Sequence, residues 1–196
     1  MASCGSYLEG KLRLRVNREK SCIGSPMKLK FLGFSLCTTK GKVGIRVHPK
    51  SLKRFKDKIR CLTSRKHGRS ITNTLLSLKR YTTGWLGYYS IAEMRKNMQD
   101  ISEWTRRRIR QIYWKQWKRI RARQENLVKL GIDENQAWQW ANSRLGYWRI
   151  AGSWILNRSL TNKYLVSQGY DDIFERYEAK RLSYRTAVYR TVRTVV

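Results

Sequence analysis

The stretch SLKRFKDKIRCLTSRKHGRSITNTLLSLKRYTTGWLGYYSIAEM, residues 51–94, decides the fold because its apolar residues recur at helical spacing. Steps of three and four residues separate the apolar positions that follow Pro49, a proline well placed in the first turn of a helix. A second helix is predicted to begin after Ser70, whose hydroxyl can cap it. The apolar positions are Leu52, Phe55, Ile59 and Leu62 in the first helix, Ile71, Leu75 and Leu78 in the second, and Trp85, Tyr88, Tyr89 and Ala92 in a third. The stretch therefore predicts a three-helix bundle.

Upstream of Pro49 the apolar period is two, which predicts short strands. The candidate strands are LRLRV at 12–16, LKFLGFSLC at 29–37 and VGIRV at 43–47. The last two flank a Lys40-Gly41 turn, the pattern of an antiparallel hairpin. A ribbon of two or three strands is marginal in water by itself, so it must rest on the helices or on another chain portion. The predicted fold is mainly α, with a small antiparallel β-hairpin region at the N-terminus followed by the three-helix bundle and further helices.

Downstream of the bundle we predict four more helices. The first runs from about Ile101 to Arg123, with a buried stripe that includes Trp117 and Ile120. Shorter helices are predicted to begin at Asp133, at Ser159 and at Asp171 or Asp172, with Gly169 ending the middle one. We expect the core to contain the tryptophans at 138, 140, 148 and 154. The expected domains are 1–48, 49–97 and 98–196.

The charge of the chain indicates a polyanionic partner. Forty-three Lys and Arg residues against thirteen Asp and Glu residues give a formal net charge of +30 on 196 residues and a pI near 10.7. Such an excess repels itself unless a polyanion neutralises it. A membrane surface is the weaker candidate, because no apolar run approaches ~20 residues and the aromatic residues are scattered among charges. We therefore expect nucleic acid and no membrane.

The candidate binding residues lie on two helices and one loop. On the first helix of the bundle, only Asp57 interrupts a polar side that is otherwise cationic, whereas ordinary solvated faces mix signs. On the long helix an aromatic residue, Trp114, is set among four cations. Guanidinium groups can donate two hydrogen bonds to one phosphate. An exposed indole can stack on an unpaired base, which contributes ~1–3 kcal/mol to binding. For Trp114 a second packed interface stays an equal alternative. The predicted RNA-binding residues are Lys53, Arg54, Lys56, Lys58, Arg60, Arg65, Lys66, Arg69, Arg107, Arg110, Trp114, Lys118 and Arg121.

The cysteine pattern predicts no metal site. Four scattered cysteines form no C-x-x-C pair, and His48 and His67 do not complete a zinc site at the usual spacing. We expect reduced thiols, no metal and no cofactor. Because the N-terminus has no apolar segment followed by a cleavage site, we expect an intracellular, cytoplasmic protein.

Several short motifs resemble those of group II intron-encoded reverse transcriptases. LRLRVNREKS at 12–21 resembles the strand and turn after the catalytic palm motif, and KFLGF at 30–34 resembles the last palm motif before the thumb. GWLGYY at 84–89 is similar to the maturase-domain signature, and WRIA at 148–151 and LTNKYL at 160–165 are similar to segments of bacterial members. By this resemblance the chain is identified as the C-terminal part of such a protein: the end of the palm, the thumb and the maturase-specific domain.

The resemblance implies an RNA-binding role without polymerase activity. In that family the palm polymerises DNA on an RNA template, while the thumb and maturase region grip the intron RNA and assist splicing. The implied partner is group II intron RNA, with DNA as a further candidate. The family's catalytic Mg²⁺ ions are held by an aromatic-x-Asp-Asp turn and an earlier aspartate, and neither lies upstream of Leu12. Tyr170-Asp171-Asp172 has Gly169 where the aromatic residue belongs, and it predicts a helix cap instead. We expect no enzymatic activity.

Two alternatives stay open. In one, residues 12–47 complete the palm sheet of a separate N-terminal reverse-transcriptase chain, so that the chain is the C-terminal subunit of a split RNA-directed DNA polymerase whose carboxylates come in trans. The exposed edges expected of these strands motivate this alternative. In the other, a start inside the palm-like region marks a truncated remnant without a role.

Overall fold

The structure, a computed structural model, describes residues 2–17, 24–39, 41–66 and 68–193. The fold class is confirmed, because helices dominate this part of the chain and one antiparallel hairpin lies near its N-terminus. In chain order the elements are α1 (Ala2–Gly10), β1 (Phe34–Thr39), β2 (Lys42–Val47), α2 (Pro49–Leu62), α3 (Ile71–Tyr89), α4 (Arg95–Gln116), α5 (Ile120–Lys129), α6 (Glu134–Ala141), α7 (Tyr147–Ala151), α8 (Trp154–Ser159), α9 (Asn162–Ser167) and α10 (Ile173–Arg193).

The hairpin forms between β1 and β2 as predicted, although Lys40 of its turn lies outside the described residues. Phe34 pairs with Val47 at the base and Thr39 with Lys42 at the tip. The prediction of a further strand at 12–16 is wrong: α1 precedes an irregular segment, and the Leu14 amide donates to the carbonyl of Leu8. In the described part of the chain the sheet has two strands, β1 and β2, and the residues at 12–16 do not add a third.

Two of the motifs, KFLGF and GWLGYY, pack against each other. The Phe34 ring lies 5.3 Å from that of Tyr88 and 5.0 Å from that of Tyr89, and the Tyr88 hydroxyl donates to the Leu32 carbonyl at 2.9 Å. Gly33 has a φ of +87°, and a Cβ there would collide with the Tyr89 hydroxyl. The glycine of the first motif therefore lets the hairpin lie against α3.

The bundle of α2, α3 and α4 is present, but its helices divide differently from the prediction. The predicted cap on α3 is confirmed, because the Ser70 hydroxyl accepts from the Asn73 amide at 3.3 Å. The separate helix predicted around Trp85 is wrong, since α3 continues to Tyr89. Gly84 does not interrupt the helix, and the buried residues Leu75, Leu78, Thr82 and Leu86 follow one side of it. The third helix of the bundle is α4.

The predicted helix from 101 to 123 is two helices. The chain turns at Trp117, whose ψ is 65°, and the Arg123 guanidinium donates to the Trp117 carbonyl at 3.0 Å. Because α5 leaves the axis of α4, Ile120 is 47% exposed and does not extend the buried stripe.

The C-terminal helix α10 packs on α3 and α4 through Ile173 and Tyr177. Asp172 caps it, accepting from the Phe174 amide at 2.9 Å, as predicted. The same carboxylate accepts from Ser102 at 2.8 Å and from Arg106 at 2.5 Å, which joins the start of α10 to α4. The prediction that Ser159 opens a helix is wrong: Ser159 ends α8, and the Thr161 hydroxyl caps α9.

Cys37 and Cys61 are free. Cys22, His67 and the side chain of Cys4 lie outside what the structure describes. None of the described helices combines the length and the apolar character needed to cross a membrane.

Candidate nucleic-acid interface

The helix α2 presents a cationic face to solvent. Phe55 and Ile59 on its opposite side are fully buried, and His48 caps its start by accepting from the Lys50 amide at 3.1 Å. The five predicted cations of α2 are all exposed, namely Lys53, Arg54, Lys56, Lys58 and Arg60. Arg60 pairs with Asp57 at 2.6 Å, and the other four form no ion pair with any described residue. These four lie within six residues, whose five steps of 1.5 Å cover about 7.5 Å of helix axis.

The loop at 63–70 continues this face, and α4 holds the loop in place. The Arg108 guanidinium donates to the Thr63 hydroxyl at 2.6 Å and to the carbonyls of Arg60 at 2.9 Å and Thr63 at 3.2 Å. Lys115 donates to the Arg65 carbonyl at 2.7 Å, and Gln116 extends the same row of contacts. The predicted loop cations Arg65, Lys66 and Arg69 remain exposed. Below we call α2 and this loop together the basic face.

Arg108 was missed by the sequence analysis, and it fixes the geometry of the basic face. It is partly buried, and burial lowers the pKa of its guanidinium, with the charge of Arg60 adding to the effect. It donates to the last carbonyls of α2, where a cation is favourable against the helix dipole. The sequence offers no signal that separates it from Arg107, because the distinction depends on where the end of α2 lies in space.

Two of the predicted binding residues on α4, Arg110 and Trp114, have their side chains in the core. Arg110 is 7% exposed and donates to the Leu160 carbonyl at 2.9 Å and to the Asn162 side chain at 3.0 Å. Burial lowers its pKa to about 10, with the charge of Arg106 as a smaller cause, so it stays charged at neutral pH. Trp114 is 1% exposed, and the Arg123 guanidinium lies 4.5 Å from its ring centroid. An indole covered in this way cannot stack on a base.

Lys118 and Arg121 are exposed as expected, but they do not share a face with the other cations of α4. Lys118 lies in the turn between α4 and α5, and Arg121 belongs to α5, where it pairs with Glu125 at 3.4 Å. The predicted row of four cations around one aromatic residue on a single helix is therefore not formed.

The comparison with protein families decides what this region is. Residues 52–131 match the family model described as group II intron, maturase-specific domain. The chain carries a group II intron maturase-specific domain. No curated protein matches the chain. The match begins at Leu52 within α2 and ends just after α5, so it contains all the predicted cations of the basic face and the Arg108 contacts. This supports a maturase-related role, and the domain is not the catalytic part of such proteins.

At its edge the maturase-specific domain meets α7 through two stacked arginines. The Arg65 guanidinium lies 4.9 Å from the ring centroid of Tyr147, and that of Arg107 lies 4.1 Å from the ring of Trp148. Arg107 also donates to the Trp148 carbonyl through Nε at 3.2 Å and Nη2 at 2.8 Å. Two predicted cations are thus brought together here.

The expectation that all four tryptophans at 138, 140, 148 and 154 are core is wrong for three of them. Trp140 is 8% exposed, whereas the exposed fractions of Trp138, Trp148 and Trp154 are 57%, 40% and 63%. The surface is therefore more aromatic than expected.

Proposed function

We propose that the chain binds group II intron RNA through the basic face and assists splicing of that RNA, without polymerase activity of its own. The observation that carries this proposal is the run of exposed cations on α2, four of which form no ion pair with any described residue, continued by a loop that Arg108 and Lys115 hold in place. Because these contacts fix the loop before RNA arrives, less side-chain and loop entropy is lost on binding.

The chemistry of the basic face suits phosphate groups. Lysine ammonium groups and the Arg54 guanidinium lie in the open, where RNA phosphates can reach them. Binding of this kind releases counterions, so that log affinity falls with log salt by about 0.7 to 0.9 per neutralised phosphate. Five phosphate contacts would give a slope of about −4. Specificity for a folded RNA would come from the fixed shape of the face.

The absence of polymerase activity is part of the proposal. Asp171 and Asp172, the pair that superficially resembles a catalytic turn, form structural contacts within the protein. Asp172 is buried, caps α10 and pairs with Arg106, while Asp171 pairs with Arg176. Carboxylates neutralised by arginine are poor ligands for a catalytic metal ion.

The test is a titration of intron RNA with the purified chain over a series of salt concentrations. The proposal expects a slope of several units and stronger binding to the intron RNA than to DNA of equal length. A flat salt response, or no binding at ~50 mM salt, contradicts it. Splicing of the same RNA at limiting Mg²⁺, with and without the chain, tests the second part of the proposal.

A second candidate function, the C-terminal subunit of a split RNA-directed DNA polymerase, is supported by the hairpin. Phe34 and Val47 at its base pack on the core, but further along the same face Leu36, Val43 and Ile45 are 36%, 68% and 44% exposed. Such a surface fits a sheet contributed by another chain. Mixing the chain with a palm-containing N-terminal chain, primer, template and Mg²⁺ tests this candidate, and no primer extension would refute it.

A further inference from the structure

A depression of about 480 Å³ lies between the 63–70 loop and the start of α7. Its wall consists of Arg65, Gln111 and the run Gly146, Tyr147, Trp148 and Arg149. None of these wall residues is acidic, and two carry a positive charge. Its volume falls within the range of about 300–1,000 Å³ that is typical of small-ligand sites. A concave, cationic and aromatic wall of this kind fits a nucleotide.

Trp148 offers a stacking surface in this depression. Arg107 covers one face of the indole at 4.1 Å and donates two hydrogen bonds to the carbonyl of the same residue, which fixes its position. Trp148 is nevertheless 40% exposed, so the Arg107 contact leaves part of the residue open to solvent. Gly152 makes the arrangement possible, since a Cβ there would lie 2.5 Å from Cζ of Arg107. Arg107 therefore holds Trp148 in place while part of this residue stays accessible.

Polar groups complete the wall. Gln111 is 8% exposed, and among the described residues its side-chain amide has no hydrogen-bond partner. A primary amide carries both donors and an acceptor, the combination that can pair with the edge of a base. Arg149 is exposed and forms no ion pair with the described residues, so its guanidinium is available to a phosphate.

We propose that this depression binds one unpaired nucleotide of RNA, whose base stacks on Trp148 and whose edge meets Gln111. Arg149 and Arg65 bind the flanking phosphate. The inference rests on the proposed RNA-binding function and deepens it. The basic face attracts any phosphate backbone, whereas the depression selects RNA with a bulged or looped-out base. A fully paired duplex does not fit, because its base faces are already stacked.

The test compares two RNA hairpins of equal nucleotide number, one fully paired and one with a bulge that contains 2-aminopurine. Fluorescence anisotropy gives both affinities, and quenching of 2-aminopurine reports stacking. The variants are Trp148→Ala, Gly152→Ala to displace Arg107 from the indole, and Trp138→Ala as a control that removes another exposed tryptophan. Circular dichroism checks that each variant is folded.

The wild-type chain is expected to prefer the bulged hairpin and to quench its 2-aminopurine. Trp148→Ala should weaken binding of the bulged hairpin by about 5- to 160-fold, the loss of one stacked base, with little change for the paired hairpin. Gly152→Ala should act in the same direction, and Trp138→Ala should have no effect.

Three outcomes overturn the inference in distinguishable ways. Equal wild-type affinities for the two hairpins, or equal losses of both in Trp148→Ala, refute the nucleotide site while leaving phosphate binding intact. Quenching that persists in Trp148→Ala places the base elsewhere. No binding of either hairpin refutes the proposed function and the site together.

Discussion

Replacement of Arg108 by methionine should destabilise the protein more than the loss of an ordinary surface arginine. Methionine keeps most of the side-chain volume but removes three hydrogen bonds to the end of α2. Thr63 is fully buried, and its hydroxyl donates to the Ile59 carbonyl while accepting from Arg108. The substitution therefore leaves a buried acceptor without a partner and two helix-terminal carbonyls without their cation.

The magnitude follows from these three contacts. A buried polar group that loses its partner costs about 1–3 kcal/mol. The two carbonyls are better hydrated, and loss of a cation from a helix C-terminus costs about 0.3–1 kcal/mol. We expect the free energy of unfolding to fall by about 2–4 kcal/mol in Arg108→Met. With a denaturant slope of about 2 kcal/mol per molar urea, the midpoint should fall by about 1–2 M.

The assay is urea unfolding followed by circular dichroism. Arg80→Met is the matched control, because Arg80 is exposed on α3 and relief of the +30 self-repulsion is common to both variants. The control should change the free energy of unfolding by less than about 0.5 kcal/mol. A difference between the two variants below that value would refute the assigned role of Arg108.

Two further predictions concern the basic face. The double substitution Lys53→Gln and Lys56→Gln should reduce the magnitude of the salt slope of RNA binding by about 2, one for each lost phosphate contact. The control Lys129→Gln on α5 should leave the slope unchanged. If a salt titration gives the double variant and the wild-type chain equal slopes, α2 does not contact the RNA. Burial lowers the pKa of His48, and nearby cations led by Lys30 lower it further, so the pKa in the folded state lies below that in the unfolded state. The stability that the His48 cap contributes is therefore complete above about pH 6.5 and is lost as the pH falls through the folded-state pKa. Unfolding free energies measured between about pH 7 and pH 5 should fall in the wild-type chain and less in His48→Asn, and a parallel pH dependence of the two would contradict this.

Local signals explain which parts of the fold were predictable from sequence. The cap at Ser70, the stop at Gly169 and the cap at Asp133 each depend on residues within one helical turn, and all three are present. The hairpin was predictable from its alternating pattern. The strand at 12–16 was not decidable in this way, because a strand requires a partner that the sequence does not identify.

The exposure of the candidate binding residues was predictable on α2 and not on α4, for a physical reason. The helix α2 contacts the core on one side, so its periodicity separates buried from exposed positions. The helix α4 has neighbours on several sides: Arg110 donates to the Leu160 carbonyl and Trp114 lies under Arg123 of α5, so both are buried although they fall on the polar side of its pattern. Sequence patterning assumes a single buried face, and that assumption fails for a central helix.

The depression at Trp148 was not predictable because its walls come from separate parts of the chain. Arg65 belongs to the loop after α2, Gln111 to α4, and Trp148 and Arg149 to α7. Tryptophan in a helical pattern is usually core, and only the packing shows that this one stays 40% exposed.

The affinity of the purified chain for a group II intron RNA and for a duplex RNA of equal length, at ~50 and ~200 mM salt, tests the central claim most directly. We predict that the chain binds the intron RNA more tightly and that this preference persists at the higher salt, because a fixed face and a site for an unpaired base recognise folded RNA. Equal affinities that vanish together at ~200 mM salt would contradict the account, since they would mean that the chain binds by charge alone.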